Sequence, residues 1–182
     1  MSGAGALSAV LRKKLRSDAA KYLRALSDID RTELATYQGG SWINDVLRRN
    51  RPLNVGEKYY TDRLDRILRE APQLPEDLRV YRGATPGVYP GPERGYLSTT
   101  LDRNIARDWP IMDVNGRGQL YSIDVNEGTP FVMPLNIVPE YHNQDELIFP
   151  RGAQLLHEPS TGALNYLRGK YARGGRVLCR PR

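Results

Sequence analysis

Residues 71–77 read APQLPED, and the chain changes character across them. Pro72 and Pro75 each remove a backbone donor and restrict the residue before them, so a helix arriving from the amino-terminal side ends here. Before this stretch the apolar residues recur at helical spacing. Leu7, Leu11, Leu15, Tyr22 and Leu26 form one stripe with basic residues on the other faces. Asp30 and Glu33 have the spacing of a capping box, and Gly39-Gly40 closes that second helix. Ser41 is placed to cap a third, WINDVLRR, which stops before Pro52. Asn54 and Glu57 open a fourth, with Tyr60, Leu64, Ile67 and Leu68 on its inner face.

After residue 77 the pattern turns to strands: LRVYRG, GYLSTT, GQLYSIDV, TPFVM, ELIFP, AQLLHE and RVLCR, separated by Gly, Pro, Asn and Asp. DRNIARDW reads as one short helix between strands, and ATPGVYPGPERG as an exposed loop. Helices first and strands afterwards predict an α+β domain, not alternating βαβ units. At 182 residues one domain spanning 1–182 is expected, with a helical portion over 1–75 and a mainly stranded portion over 76–182.

The totals exclude several classes. No segment approaches the roughly 18 apolar residues a membrane span needs, so no membrane association is expected. The first residues, MSGAGALSAVLRKKLRSDAAKYL, put charge after a very short apolar patch, the reverse of a signal peptide. The expected site of action is therefore cytosolic, reached by a specialised secretion or injection route or as part of a longer chain. The single Cys179 excludes an internal disulfide. With only His142 and His157 and no HExxH spacing, no metal site is expected. The net charge is +6, and residues 159–182 carry Arg168, Lys170, Arg173, Arg176, Arg180 and Arg182 without one acid. Such an end attracts nucleic acid, an acidic protein or a phosphate-bearing small molecule, or is a solvated surface. GxGxxG, GxxxxGK[ST] and GxSxG are all absent, and no serine pairs with a histidine in a recognisable triad.

Three polar clusters remain, in fixed order: Arg82 in VYRG, Ser98-Thr99-Thr100 in GYLSTT, and Gln144 with Glu146 in NQDELIFPRG. Side chains alternate along a strand, so Gln144 and Glu146 are expected to share a face and Asp145 to point the other way. Taken singly, each cluster also reads as ordinary strand chemistry, since Thr favours half-exposed strands.

Together and in this order the clusters resemble the arginine-serine-glutamate class of mono-ADP-ribosyltransferase toxins and effectors, which break NAD and attach its ADP-ribose to a target. TYQGGSWINDVLRRN is similar to that family's Tyr-x-Gly…Ile-Asn-x-x-Leu-Arg helix, LPEDLRVYRG to its approach to the arginine, and ELIFPRG to the strand after its glutamate. GYLSTT stands at the family's Ser-Thr-Ser motif, with Thr100 in place of the last serine. The resemblance runs from about Leu34 to Gly152. It implies amino-terminal helices packed on a core of two antiparallel sheets, an NAD cleft between them, NAD as substrate and no metal.

The chemistry suits these residue types. Nicotinamide leaves as a neutral molecule from a pyridinium, so it needs no general acid, and the transition state resembles an oxocarbenium ion. One carboxylate, Glu146, then suffices by binding the ribose 2′-hydroxyl and stabilising the developing charge. Ser98 would hold that carboxylate, with Thr99 and Thr100 lining the strand. Arg82 suits the diphosphate and neighbouring ribose through its planar fork. By resemblance, the Gly83 backbone would grip the nicotinamide amide, and Asn44 and Arg48, four apart on one helix face, would meet the adenosine and phosphate end. Arg117 in NGRGQL is either a phosphate contact or a plain turn residue. Trp109 is a hydrophobic anchor or a nicotinamide stack.

In this family the residue two before the glutamate helps choose the acceptor. Gln144 argues against arginine, because a neutral amide can bond an amide or a base edge but offers a guanidinium no charge pairing. Tyr141 stands where the Rho-modifying exoenzymes carry an aromatic that touches the target, and equally reads as a loop tyrosine. The leading expectation is transfer to a protein by a monomeric chain, with room for a cognate immunity or inhibitor protein. Transfer to RNA or DNA, NAD hydrolysis, and a non-catalytic basic nucleic-acid-binding module stand as alternatives.

Overall fold

The computed structural model describes residues 8–40, 42–84, 91–108, 119–141, 144–155, 171–172 and 176–177. Helix α1 spans Ala9–Ala25, α2 Asp28–Gly39, α3 Trp42–Arg48 and α4 Val55–Glu70. Each described amino-terminal cap meets an otherwise orphaned backbone donor. Ser8 Oγ accepts from the Leu11 amide at 3.0 Å in α1. In α2 the cap is Ser27, which accepts from the Asp30 amide at 3.1 Å. Asp30 is therefore inside the helix and not at its cap. Its carboxylate is buried and paired with Arg63 and Arg66. The box expected at α4 is complete: Asn54 and Glu57 bond each other's amide, both at 2.9 Å. Ser41 lies outside the described residues.

The four-stranded antiparallel sheet runs β4-β1-β3-β5. Its members are β1 Leu78–Ala84, β3 Leu97–Thr100, β4 Gln119–Val125 and β5 Glu146–Phe149, with α5 Arg103–Asp108 following β3. Two two-stranded ribbons accompany it: β2 Gly91–Glu93 with β6 Ala153–Leu155, and β7 Tyr171–Ala172 with β8 Arg176–Val177. The α+β class stands. Among the described residues one four-stranded sheet is formed, and the other strands form only these ribbons.

Two further expectations are corrected. GPERG is not an open loop, because Gly91–Glu93 pairs with β6 and Glu93 is buried. TPFVM is not a strand; it makes only the isolated bridges Gln73↔Pro130 and Val132↔Ile148. Pro130 and Pro134 supply no ladder donors on either side of the apolar run.

Strand β5 shows how the core is divided. Leu147 and Phe149 join the cluster containing Leu15 and Ala19 of α1, Val80, Leu97, Ile123 and Phe131. Ile148, pointing the other way, joins Leu34 and Tyr37 of α2, Ile43 of α3, and Tyr60, Leu64 and Ile67 of α4. The sheet is thus buried on both faces, and each fully buried Leu or Ile contributes about 1.5–3 kcal/mol. Ser98, Thr100 and Glu146 share the face of Ile148, covered by α2–α4, whereas Arg82 lies opposite Tyr121 and Thr99 opposite Leu147, both residues of the first cluster.

Candidate active site

Strand register brings the expected residues together. Thr100 lies opposite both Tyr81 of β1 and Glu146 of β5, and Ser98 lies opposite Ile148. Ser98 and Glu146 are thus diagonal neighbours on one sheet face, within reach of each other's side chains. The Ser98 side chain lies close enough to the Glu146 carboxylate to favour its ionised form. From the helical side, Gln38 Nε2 donates to Glu146 Oε2 at 3.0 Å. Arg82 Nη1 donates to the Ser98 carbonyl at 2.5 Å, which sets its positive charge beside the same carboxylate. Burial holds the Glu146 carboxyl above the ordinary carboxylate range, against the lowering pull of Gln38, Ser98 and Arg82.

Behind Ser98 runs a chain of buried polar groups. Tyr37 Oη is 2.9 Å from Ser98 Oγ, and Asn44 Nδ2 donates to Tyr37 Oη at 2.9 Å. Asn44 Nδ2 is the donor to Tyr37, either hydroxyl can donate between Tyr37 and Ser98, and Tyr37 Oη also lies 3.4 Å from the Tyr96 carbonyl. Burial pushes the Tyr37 phenol up to about 12, which keeps that hydroxyl protonated.

Asn44 is 2% exposed, and its amide is fully engaged: Nδ2 also donates to the Tyr96 carbonyl at 3.1 Å, and Oδ1 accepts from the Tyr96 amide at 2.7 Å. Its side chain braces the fold behind the site. Gly95 permits this approach, since a Cβ there would lie 2.6 Å from Asn44 Oδ1. Arg48, part-exposed, makes a two-pronged bond to Glu93 at 3.1 and 3.2 Å and ties α3 to β2.

Thr99 and Thr100 are fully buried. Thr99 Oγ1 donates to the Leu147 carbonyl at 3.0 Å, and Thr100 Oγ1 to the Gln144 carbonyl at 2.5 Å. Both hydroxyls fasten β3 to the Gln144–Leu147 segment. Gly83 lies near the end of the β1–β4 ladder, opposite Leu120. Arg117 and Trp109 lie outside the described residues.

Gln144 and Glu146 do not sit in one strand. β5 begins at Glu146, and Asp145 takes a left-handed backbone with φ of 44°. The expected alternation therefore fails at Asp145, and a turn sets the relation between the amide and the carboxylate. The Gln144 amide donates to the Tyr141 carbonyl at 3.0 Å. A small cavity touches Arg16, Gln38, Leu135, Tyr141, Asp145 and Glu146. A larger cavity, bordered by Leu47, Arg51, Asp65, Glu93 and Arg151 among others, contains none of Arg82, Ser98 and Glu146.

Sequence reasoning missed Tyr37 and Gln38 as site residues. Both lie inside TYQGG, where the resemblance matches the tyrosine without giving it a role, and nothing in the spacing aims Gln38 across 108 residues at Glu146.

No family model matches the chain, and no curated protein matches its sequence. Solved structures do. An ADP-ribosyltransferase from Clostridium botulinum superposes with a TM-score of 0.70 at 17% identity, covering 93% of this chain and 98% of that one. The fold is that of the ADP-ribosyltransferase toxins. An ADP-ribosyltransferase toxin from Paenibacillus larvae matches at TM-score 0.64 and 19% identity over 93% of this chain and 95% of its own. Exoenzyme S of Pseudomonas aeruginosa, solved with human 14-3-3 protein beta and Carba-NAD, gives TM-score 0.64 and 22% identity over 89% and 85%. Within this ADP-ribosyltransferase fold, Arg82, Ser98 and Glu146 occupy three adjacent strands, β1, β3 and β5.

Proposed function

We propose that the chain is a mono-ADP-ribosyltransferase that cleaves the nicotinamide–ribose bond of NAD and transfers ADP-ribose to a protein side chain other than arginine. The observation that carries this reading is the half-buried Glu146 carboxylate, bonded by Gln38, with Ser98 and Arg82 beside it. A carboxylate fixed in this way needs no reorganisation when positive charge develops on the ribose. The C–N bond breaks with its electron pair going to nicotinamide. An acceptor lone pair then bonds the anomeric carbon, and the acceptor's proton passes to water. Arg82 would bind the diphosphate and the Gly83 backbone the nicotinamide amide. Gln38 Oε1, buried and without a hydrogen-bond partner, would take a donor from the bound substrate.

Gln144, at the turn beside Glu146, favours an amide-bearing acceptor over a guanidinium. Exoenzyme S is a relative in fold whose structure includes a protein partner. For this chain a protein target inside a cytosol is the favoured substrate. The basic residues 159–182 favour a second reading, transfer to nucleic acid.

The test is incubation with labelled NAD and bacterial or eukaryotic lysate, with a Glu146→Gln control, followed by protease or nuclease digestion. Glu146-dependent label that protease removes supports the proposal. Label that nuclease removes moves the substrate to nucleic acid. NAD loss without any labelled macromolecule makes the chain a glycohydrolase.

A further inference from the structure

Asp145 separates the two residues that matter most at the turn, and it is held in an unusual way. Its backbone is left-handed, a region that residues other than glycine occupy infrequently. Its side chain is 9% exposed and meets two guanidinium groups of α1: Arg16 Nη1 at 2.6 Å and Arg12 Nη1 at 2.9 Å. The two arginines are four apart and share one helix face. The same helix sends Leu15 and Ala19 into the core beneath the sheet, so the arginines project from a fixed base. On the strand side the Leu101 amide donates to the Asp145 carbonyl at 3.2 Å, and Thr100 Oγ1 donates to the carbonyl of Gln144. The turn is thus gripped from α1 through its side chain and from β3 through its backbone.

A single surface ion pair would carry little. Here the carboxylate is nearly buried and shared by two charge-assisted contacts, so removing the arginines leaves a buried charge uncompensated. Arg16 also borders the cavity shared by Gln38, Tyr141 and Glu146. We infer that Arg12 and Arg16 are positioning residues, which clamp Asp145 in its left-handed turn and thereby fix where Gln144 and Glu146 point. The inference rests on the proposed reaction for its catalytic consequence, but the clamp itself is a structural statement with its own readout.

The test uses the full chain as wild type, Arg12→Ala/Arg16→Ala, Asp145→Ala and Asp145→Gly. Hydrogen exchange is followed at the Leu101 amide and across residues 144–146, with Ile123 in the central ladder as reference. The clamp predicts exchange about ten-fold faster at those amides in the double arginine variant and in Asp145→Ala, with Ile123 changed less than about two-fold. Asp145→Gly accepts the positive φ without strain and is expected to recover part of what Asp145→Ala loses. For NAD cleavage, kcat falls about ten-fold or more while KM changes less than about three-fold, since misplacing Glu146 acts on the transition state. Unchanged exchange at Leu101 and 144–146 overturns the clamp, whatever the activity. A parallel rise at Ile123 also overturns it, showing general loosening. If exchange responds as stated but wild type leaves NAD untouched, the clamp stands and the proposed reaction falls.

Discussion

Tyr37 Oη and Ser98 Oγ, 61 residues apart, lie 2.9 Å from each other and join helix α2 to the strand that carries the site. The bond continues a chain that begins at Asn44 and ends at Glu146.

Tyr37→Phe tests that chain. It keeps the ring and its edge-to-face packing on Tyr96 but removes the acceptor for Asn44 and the hydrogen-bond partner of Ser98. Leaving buried polar atoms unpaired costs about 1–3 kcal/mol. A lower urea midpoint with an unchanged m-value is expected, together with slower NAD cleavage.

The pH dependence follows from Glu146. Its carboxyl sits above the ordinary range, and the ionised form does the work, so kcat/KM should rise with pH and level off above that raised pKa. Gln38→Ala removes a hydrogen bond that favours the ionised form. The acid limb should therefore move to higher pH, and a pH–rate profile of the two proteins checks the sign. A limb that moves down, or stays, contradicts the role given to Gln38.

Glu146→Gln should be more stable than wild type near neutral pH. A carboxyl whose pKa is raised by folding stabilises the fold while protonated, and that contribution is lost as pH rises through the folded value. The amide does not ionise. Melting temperatures at about pH 7.5 should therefore favour Glu146→Gln, and the difference should vanish in acid, below the ordinary carboxylate range.

Gly95→Ala should be costly although the residue lies outside the proposed substrate contacts. The new Cβ would stand 2.6 Å from Asn44 Oδ1 and 2.9 Å from Asn44 Cγ. Asn44 cannot retreat without breaking its bonds to Tyr37 and Tyr96. Overpacking of this kind costs about 1–3 kcal/mol, measurable as a lower denaturation midpoint.

What could be read from the sequence depended on the range of the interaction. The break at APQLPED and the order Arg82, Ser98, Glu146 were readable because strand pattern and strand-end position are local properties. The strand at Gly91–Glu93 was hidden, since GPERG has the composition of a loop and its pairing partner, Ala153–Leu155, lies far along the chain. TPFVM misled in the opposite sense, because its apolar run satisfies a strand pattern that two prolines prevent. The turn at Asp145 was also out of reach: an acid between a Gln and a Glu reads as strand alternation until Arg12 and Arg16 are seen to hold it. Tyr37 and Gln38 act through contacts across the fold, which no spacing rule reports.

The most direct measurement is nicotinamide release from NAD by the purified chain, beside Glu146→Gln, with NAD binding to both followed by calorimetry. Both proteins should bind NAD with similar affinity, and release should fall about a hundred-fold or more in Glu146→Gln. Equal release rates in the two proteins, or no NAD binding by either, would contradict the role of Glu146 as the carboxylate that drives nicotinamide from NAD.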